Sequence, residues 1–358
     1  MKDSRSVRLN RRQVVGLLGV GAGIGFFSGA ARASSLLAAP FQGSSGASTV
    51  TFPRGAVIRT ILKDIPPDSI NGRILFHEHL NGEYNRESRQ LKLPPPSQAD
   101  TAPVIEDVRE AMKGGVVLIV DGGHPDMGTN YDALRKISQA SGLHVVCSGG
   151  YYIQNTYPQE VTNLSEDQLA DSLVTEAAKG RYGAYGEIGD NPNEIDFTPD
   201  EKKVYRAVGK AHLKNNLPIF THNNYGPEDI PRDIALKQLD VYESVGVKPS
   251  AVAIGHMDSL PGSNADMIKA LAKRGAWVGI DRIRGEEKGD ENRVKLVMQF
   301  LEAGYIKQLL LSSDTRKDYR KVERFATQLK AAGVNDADLQ TIQVDNPRRF
   351  LAFVPKGA

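Results

Sequence analysis

Residues Ile74-Leu75-Phe76-His77-Glu78-His79-Leu80, "ILFHEHL", end an apolar run in two histidines separated by one residue. In a strand, side chains two positions apart leave the same face. His77 and His79 then project together from the end of a buried strand. The arrangement has two readings. One is a metal site; the other is a pair of strand-terminating histidines bonded to backbone carbonyls.

From Arg73 onward the pattern repeats. Short apolar runs are "RILF" (73–76), "VVLIV" (116–120), "HVVC" (144–147), "YGAYGEI" (182–188), "LPIF" (217–220), "AVAIG" (251–255), "AWVGI" (276–280) and "QLLLS" (308–312). Amphipathic segments separate them. "SEDQLADSLVTEAAKG" has Ser165 as a helix N-cap and Gly180 as a stop, and "NADMIKALAKRG" ends at Gly275. Alternation of continuous apolar strands with helices predicts a parallel sheet covered on its faces. Eight units predict an α/β fold, a (β/α)8 TIM barrel. A doubly wound open sheet is the alternative, but no Gly-rich phosphate turn follows the first strand. The stretch Val50–Leu62 reads as a short N-terminal β-hairpin ahead of the barrel.

His77 and His79 follow strand 1, His222 follows strand 5 and His256 follows strand 6. Glu187 ends strand 4 and Asp314 ends strand 8. In a barrel these C-terminal ends converge on one mouth, where active sites lie. Four imidazoles and two carboxylates there form a donor set for a hard-to-borderline metal. One strand-end histidine is commonly structural; six such residues from five strands point to the metal reading. The single cysteine, Cys147, excludes an intrachain disulfide framework and thiolate-rich zinc sites. Within a strand it reads as a buried small apolar residue.

The N-terminus reads as a targeting segment. A basic region with Arg11-Arg12 precedes an apolar, glycine-rich run and Ala31-Arg32-Ala33. Residues 1–33 are expected to be a cleaved signal peptide of the twin-arginine type, with an ordinary Sec signal or an uncleaved anchor as the alternatives. Residues 34–48 read as a flexible Ser/Ala/Gly linker, and 49–358 as the catalytic barrel. The apolar run is too short and glycine-rich for a stable membrane anchor. Expected localisation is periplasmic or secreted. Residues 1–33 hold six basic side chains (Lys2, Arg5, Arg8, Arg11, Arg12, Arg32) and one acidic (Asp3), against 45 basic and 43 acidic overall. The chain without them is net −3. No basic patch with interleaved aromatics marks it for nucleic acid.

"ILFHEHL", "YGEIG", "FTHNN", "AIGHMD" and "LLLSSDT" together resemble the phosphotriesterase family of the amidohydrolase superfamily. "VIRTILKDIPPDSINGRILFHEHL", "SGGYYIQNTYP", "QLDVYESVGVKPSAVAIGHMD" and "NPRRFLA" extend the likeness over roughly 55–355. The resemblance implies two divalent metal ions, usually Zn, with Co or Mn as alternatives, and a bridging hydroxide. It implies His77, His79 and Asp314 on the more buried ion and His222 and His256 on the more exposed one. The bridge, a carboxylated lysine in organophosphate-cleaving members, is here Glu187, an anionic two-oxygen equivalent. Hydroxide would attack a polarised C=O or P=O, with Asp314 accepting the proton. Tyr152 matches a tyrosine that lactone-cleaving relatives place over the site; packing at the rim is its alternative role. A homodimer is a further expectation from the resemblance.

Two departures stand out. Ser259 occupies the place of a second aspartate after "HxD", and Arg282 that of a shuttle histidine after strand 7. Arg282 suits an anionic group such as a carboxylate or phosphate, or a surface ion pair with Glu286 or Glu287. Asp258 is expected to support the metal-site geometry as an outer partner. His124, after strand 2, reads as a substrate contact or a satisfied structural histidine. His144 and His212 do not read as catalytic. The stretches 81–105 and 281–294 carry no motif, and the latter reads by default as a solvated loop. The reading is an exported binuclear hydrolase of carboxylic esters or lactones acting on a small molecule. Phosphotriester hydrolysis and a catalytically weak metal-containing binding protein are the alternatives.

Overall fold

The computed structural model describes residues 50–81, 101–190, 196–223, 233–259 and 265–356. The signal segment, the linker and most of the 81–105 stretch lie outside the described residues. Eight parallel strands line up in chain order: β3 (Arg73–Glu78), β4 (Val116–Asp121), β5 (His144–Gly149), β6 (Ala184–Ile188), β7 (Ile219–Thr221), β8 (Val252–Ile254), β9 (Trp277–Ile280) and β10 (Leu309–Leu311). Helices α1 (Thr101–Lys113), α2 (Tyr131–Ser141), α3 (Gln159–Asn163), α4 (Glu166–Gly180), α5 (Pro199–Asn215), α6 (Ile234–Ser244), α7 (Ala265–Arg274), α8 (Glu287–Glu302) and α9 (Lys321–Ala331) fall between or after them. This is a (β/α)8 barrel. Short helices α10 (Asp336–Gln340) and α11 (Asn346–Leu351) end the chain.

Local signals explain the helix ends. Ser165 accepts from the Gln168 amide while Gln168 reaches back, a capping box at α4. Arg181, after Gly180, takes the left-handed turn that stops the helix. Gly275 does the same after α7.

Two expectations are corrected. The hairpin is not Val50–Leu62; it pairs β1 (Ile58–Arg59) with β2 (Asp64–Ile65), its turn formed by residues 60–63. Ile58 and Ile65 join Phe350 and Leu351 in the apolar cluster that fills the barrel interior. The charged stretch 281–294 is not all loop: α8 is entered at Glu287, breaks at Lys288 (ψ 97°) and Gly289 (φ 130°), and runs on from Asp290. Its apolar face at Leu296, Val297 and Phe300 is buried, and that burial overrides the local charge density. Among the described residues, no helix is long and apolar enough to cross a membrane.

The interior is filled by alternate residues: Ile74 and Phe76 of β3, Leu118 and Val120 of β4, Val146, Ala184, Phe220, Ala253 and Leu310. Their neighbours, such as Leu75, Ile119, Val145 and Ile254, pack outward with the helices. This parity sets the frame for the mouth.

Candidate metal centre

Strict alternation would carry His222 inward from Phe220 and Asp314 inward from Leu310. It would send His77, His79, Glu187 and His256 outward. The structure turns those four back. Strand β3 shifts register between Leu75 and Glu78, and β6 between Tyr185 and Ile188. At His256 the backbone is left-handed (φ 58°), as it is at Asp314 (φ 45°). Such conformations cost about 1–3 kcal/mol each and persist where surrounding structure imposes them. At Gly255 a Cβ would sit 2.2 Å from the Thr221 carbonyl, so β7 and β8 meet closely where His222 and His256 emerge.

The six side chains converge. His77 Nε2 lies 3.3 Å and His222 Nδ1 2.5 Å from Glu187 Oε2. His79 Nε2 is 3.2 Å from Glu187 Oε1 and 3.1 Å from Asp314 Oδ1. His256 Nε2 is 2.8 Å from His222 Nδ1 and 3.6 Å from Glu187 Oε2. Two donor sets result, His77/His79/Glu187/Asp314 and Glu187/His222/His256, sharing Glu187.

Asp281, at the end of β9, was not singled out from the sequence. Its Oδ2 accepts from His77 Nδ1 and its Oδ1 from His256 Nδ1, both at 2.9 Å. The His256 backbone amide also donates to Oδ1, at 2.6 Å. A carboxylate only accepts, so each imidazole carries a proton on Nδ1 and turns Nε2 inward as the atom left to ligate. Burial opposes charging the two rings, but the neighbouring carboxylates outweigh it and raise both pKa values, so a metal at Nε2 would replace a proton there. His77 Nε2 is buried with no hydrogen-bond partner. An unmatched buried nitrogen among N and O donors fits a metal ion, and an imidazole backed by a carboxylate is the usual outer support of one.

Glu78, between the two histidines, points elsewhere. Its carboxylate accepts from the Ser312 and Ser313 hydroxyls and from the Ser313 and Thr315 amides. It holds the turn that carries Asp314. Burial raises its pKa to about 7, against those hydrogen bonds. Asp258 accepts from the Asp281 and Arg282 amides and from Arg293 Nε. Its link to the histidines runs through Asp281.

Around the mouth, the Tyr152 hydroxyl lies 3.2 Å from His222 Nε2, its ring edge-on to the imidazole. His124 is fully buried, 3.4 Å from Asp126, with neither ring nitrogen hydrogen-bonded. Arg282 turns toward Asp314, not out to Glu286 or Glu287, with Nε 3.5 Å from Oδ2. Cys147 is buried, and burial pushes its thiol up to about 12.

Burial opposes charging His79, but Asp314 and Glu187 outweigh it and lift its pKa to about 9. Burial lowers His222 to about 4 despite Glu187. Burial works against ionising Glu187 and Asp314, yet the surrounding histidines hold both well below the usual carboxylate range. Without metal, the raised His79 pKa contributes stability complete below the ordinary value of 6.5 and lost as pH rises through about 9. A metal competes with that proton, so affinity is expected to rise by up to about tenfold per pH unit below about 9. A zinc competition titration at pH 7 and 8 reads this; equal affinities would mean that His79 is already neutral at pH 7.

A model of the phosphotriesterase family matches residues 58–351, and the chain belongs to that family. The phosphotriesterase homology protein of Escherichia coli is 27% identical over 78% of this chain and 97% of its own. The aryldialkylphosphatase of Saccharolobus solfataricus is 26% identical over 78% of this chain and 95% of its own. The N-acetyltaurine hydrolase of Salmo salar is 22% identical over 83% of this chain and 98% of its own. A crystal structure of the Escherichia coli phosphotriesterase homology protein, with phosphate in its active site, superposes with a TM-score of 0.68 at 26% identity. It covers 79% of this chain and 99% of that one. The chain is thus a hydrolase-family barrel with a donor set for metal.

Proposed function

We propose that the protein is an exported, binuclear metal-dependent hydrolase of carboxylic esters or lactones. The observation that carries the reading is the pair of donor sets sharing Glu187. The first set would hold one ion and His222 with His256 the other, Glu187 serving both. Two divalent cations bound there would lower the pKa of water toward neutrality and polarise a substrate carbonyl. Asp314, ionised and at the mouth, accepts the proton that water gives up on attack. Asp281 keeps His77 and His256 in the ligating tautomer. Tyr152 fixes the His222 ring and forms one wall for the substrate. His124, fully buried after the neighbouring strand, would stand behind that wall.

Glu187 at the bridge, Ser259 and Arg282 favour ester or lactone over phosphotriester hydrolysis. An aryldialkylphosphatase among the relatives supports the phosphotriester alternative. N-acetyltaurine hydrolases among them bring an amide substrate into the comparison. Export rests on residues 1–33, and the expected product begins after Ala33 in a periplasmic or secreted fraction.

The test is metal content of the purified protein, followed by turnover of lactones, aryl esters, N-acyl amides and phosphotriesters in zinc, cobalt and manganese forms. Two equivalents of metal with preferred turnover of an ester or lactone is the expected result. One equivalent or none in a folded protein would refute the binuclear site. Two equivalents with no turnover would favour the binding-protein alternative.

A further inference from the structure

Arg282 stands at the mouth with Asp314 as its ion-pair partner. It follows Asp281 at the end of β9, and its side chain is 29% exposed, so part of it opens to the mouth. Its Nε is buried and makes no hydrogen bond. The carboxylate it approaches is Asp314, 3.5 Å away, itself a member of the first donor set. Once Asp314 serves a cation, its charge no longer compensates the guanidinium. The charge of Arg282 also acts on His222 and His256, the histidines of the second set. Arg316, two residues past Asp314, acts on His79.

A guanidinium beside two divalent cations is repelled by them and is costly to hold there unless an anion completes the site. Its planar fork, with one donor already desolvated and unpaired, suits a carboxylate, sulfonate or phosphonate. A neutral aryl ester or simple lactone leaves that donor unmatched.

We propose that Arg282 binds an anionic group carried by the substrate close to its scissile carbonyl, making the natural substrate an acidic ester, lactone or amide. The inference rests on the hydrolase reading above. The acid is a carboxylate, a sulfonate or a phosphonate, and the probes separate these sources.

The experiment compares the metal-loaded protein with R282M and R282K on matched substrates, monophenyl glutarate and its methyl ester, which differ by one charge. Binding of succinate, sulfoacetate and phosphonoacetate is measured against acetate by calorimetry on the same proteins. The expected wild-type preference for the charged ester is roughly 10- to 100-fold in kcat/KM, the range of one charge-assisted hydrogen-bonded contact. R282M should erase the preference, the charged ester losing at least about 10-fold more than the neutral one, and R282K should restore part. The tightest of the three dianions identifies the acid, and its affinity should fall in R282M by the same order. Equal turnover of both esters by the wild type, or equal losses on both in R282M, overturns the inference while leaving the hydrolase reading intact. If neither ester is turned over, calorimetry decides alone. Dianion affinity unchanged in R282M then overturns the role of Arg282, and a 10-fold or greater loss upholds it as an anion-binding residue.

Discussion

Replacing Glu187 with alanine is expected to lower bound metal from two equivalents to one and to reduce turnover by more than about 100-fold. Glu187 is the one residue common to both donor sets. Its Oε2 faces His77, His222 and His256, and its Oε1 faces His79. Without it the first set keeps two imidazoles and Asp314. The second keeps only His222 and His256, one short of the three protein ligands usual at a catalytic zinc. The second ion should therefore leave first. Loss of an outer partner typically costs about 10–100-fold, and loss of a shared ligand should exceed that. Metal analysis after dialysis, with circular dichroism to confirm folding, checks it. Two equivalents retained in a folded, active variant would mean that Glu187 does not bridge.

Asp281→Asn is expected to weaken the first set more than the second. Each carboxylate oxygen of Asp281 serves one histidine, and Oδ1 also accepts the His256 amide. Asparagine has one acceptor oxygen and one NH2 group. Two donors at His256 against one at His77 should turn the amide oxygen toward His256. The NH2 group then faces His77 Nδ1–H, donor against donor. His77 escapes by moving its proton to Nε2, the atom that points into the centre. The expected loss is roughly 10- to 100-fold in affinity for one ion, with a smaller change for the other. An unmatched buried donor adds a stability cost of about 1–3 kcal/mol. Stepwise metal titration and thermal denaturation read the two effects. Equal weakening at both positions would contradict the assignment of His77 and His256 to different ions.

Much of this architecture is legible in the chain itself. Apolar runs of strand length separated by amphipathic, capped segments specify a barrel, because burial on both faces demands continuous apolar strands. The abrupt change from apolar to His, Glu or Asp at successive strand ends identifies the ligand-bearing mouth. "ILFHEHL", "YGEIG", "FTHNN", "AIGHMD" and "LLLSSDT" all mark it. Asp281 escaped notice because a lone aspartate after "VGI" resembles any strand terminator. Its meaning comes from His77 and His256, which lie on strands far apart in sequence.

Residue order determined which groups could act as ligands and that they would share one end of a barrel. Tertiary structure alone decided that they face one another. Alternation from the interior residues Phe76, Ala184 and Ala253 would point His77, His79, Glu187 and His256 away from the centre. Register shifts in β3 and β6 and a left-handed turn at His256 reverse that direction. Those irregularities are set by long-range contacts, such as Ser312 and Ser313 on Glu78 and Asp281 on the His256 amide. Each costs backbone energy that no local sequence pattern repays, and each holds only because distant strands meet there in the closed barrel.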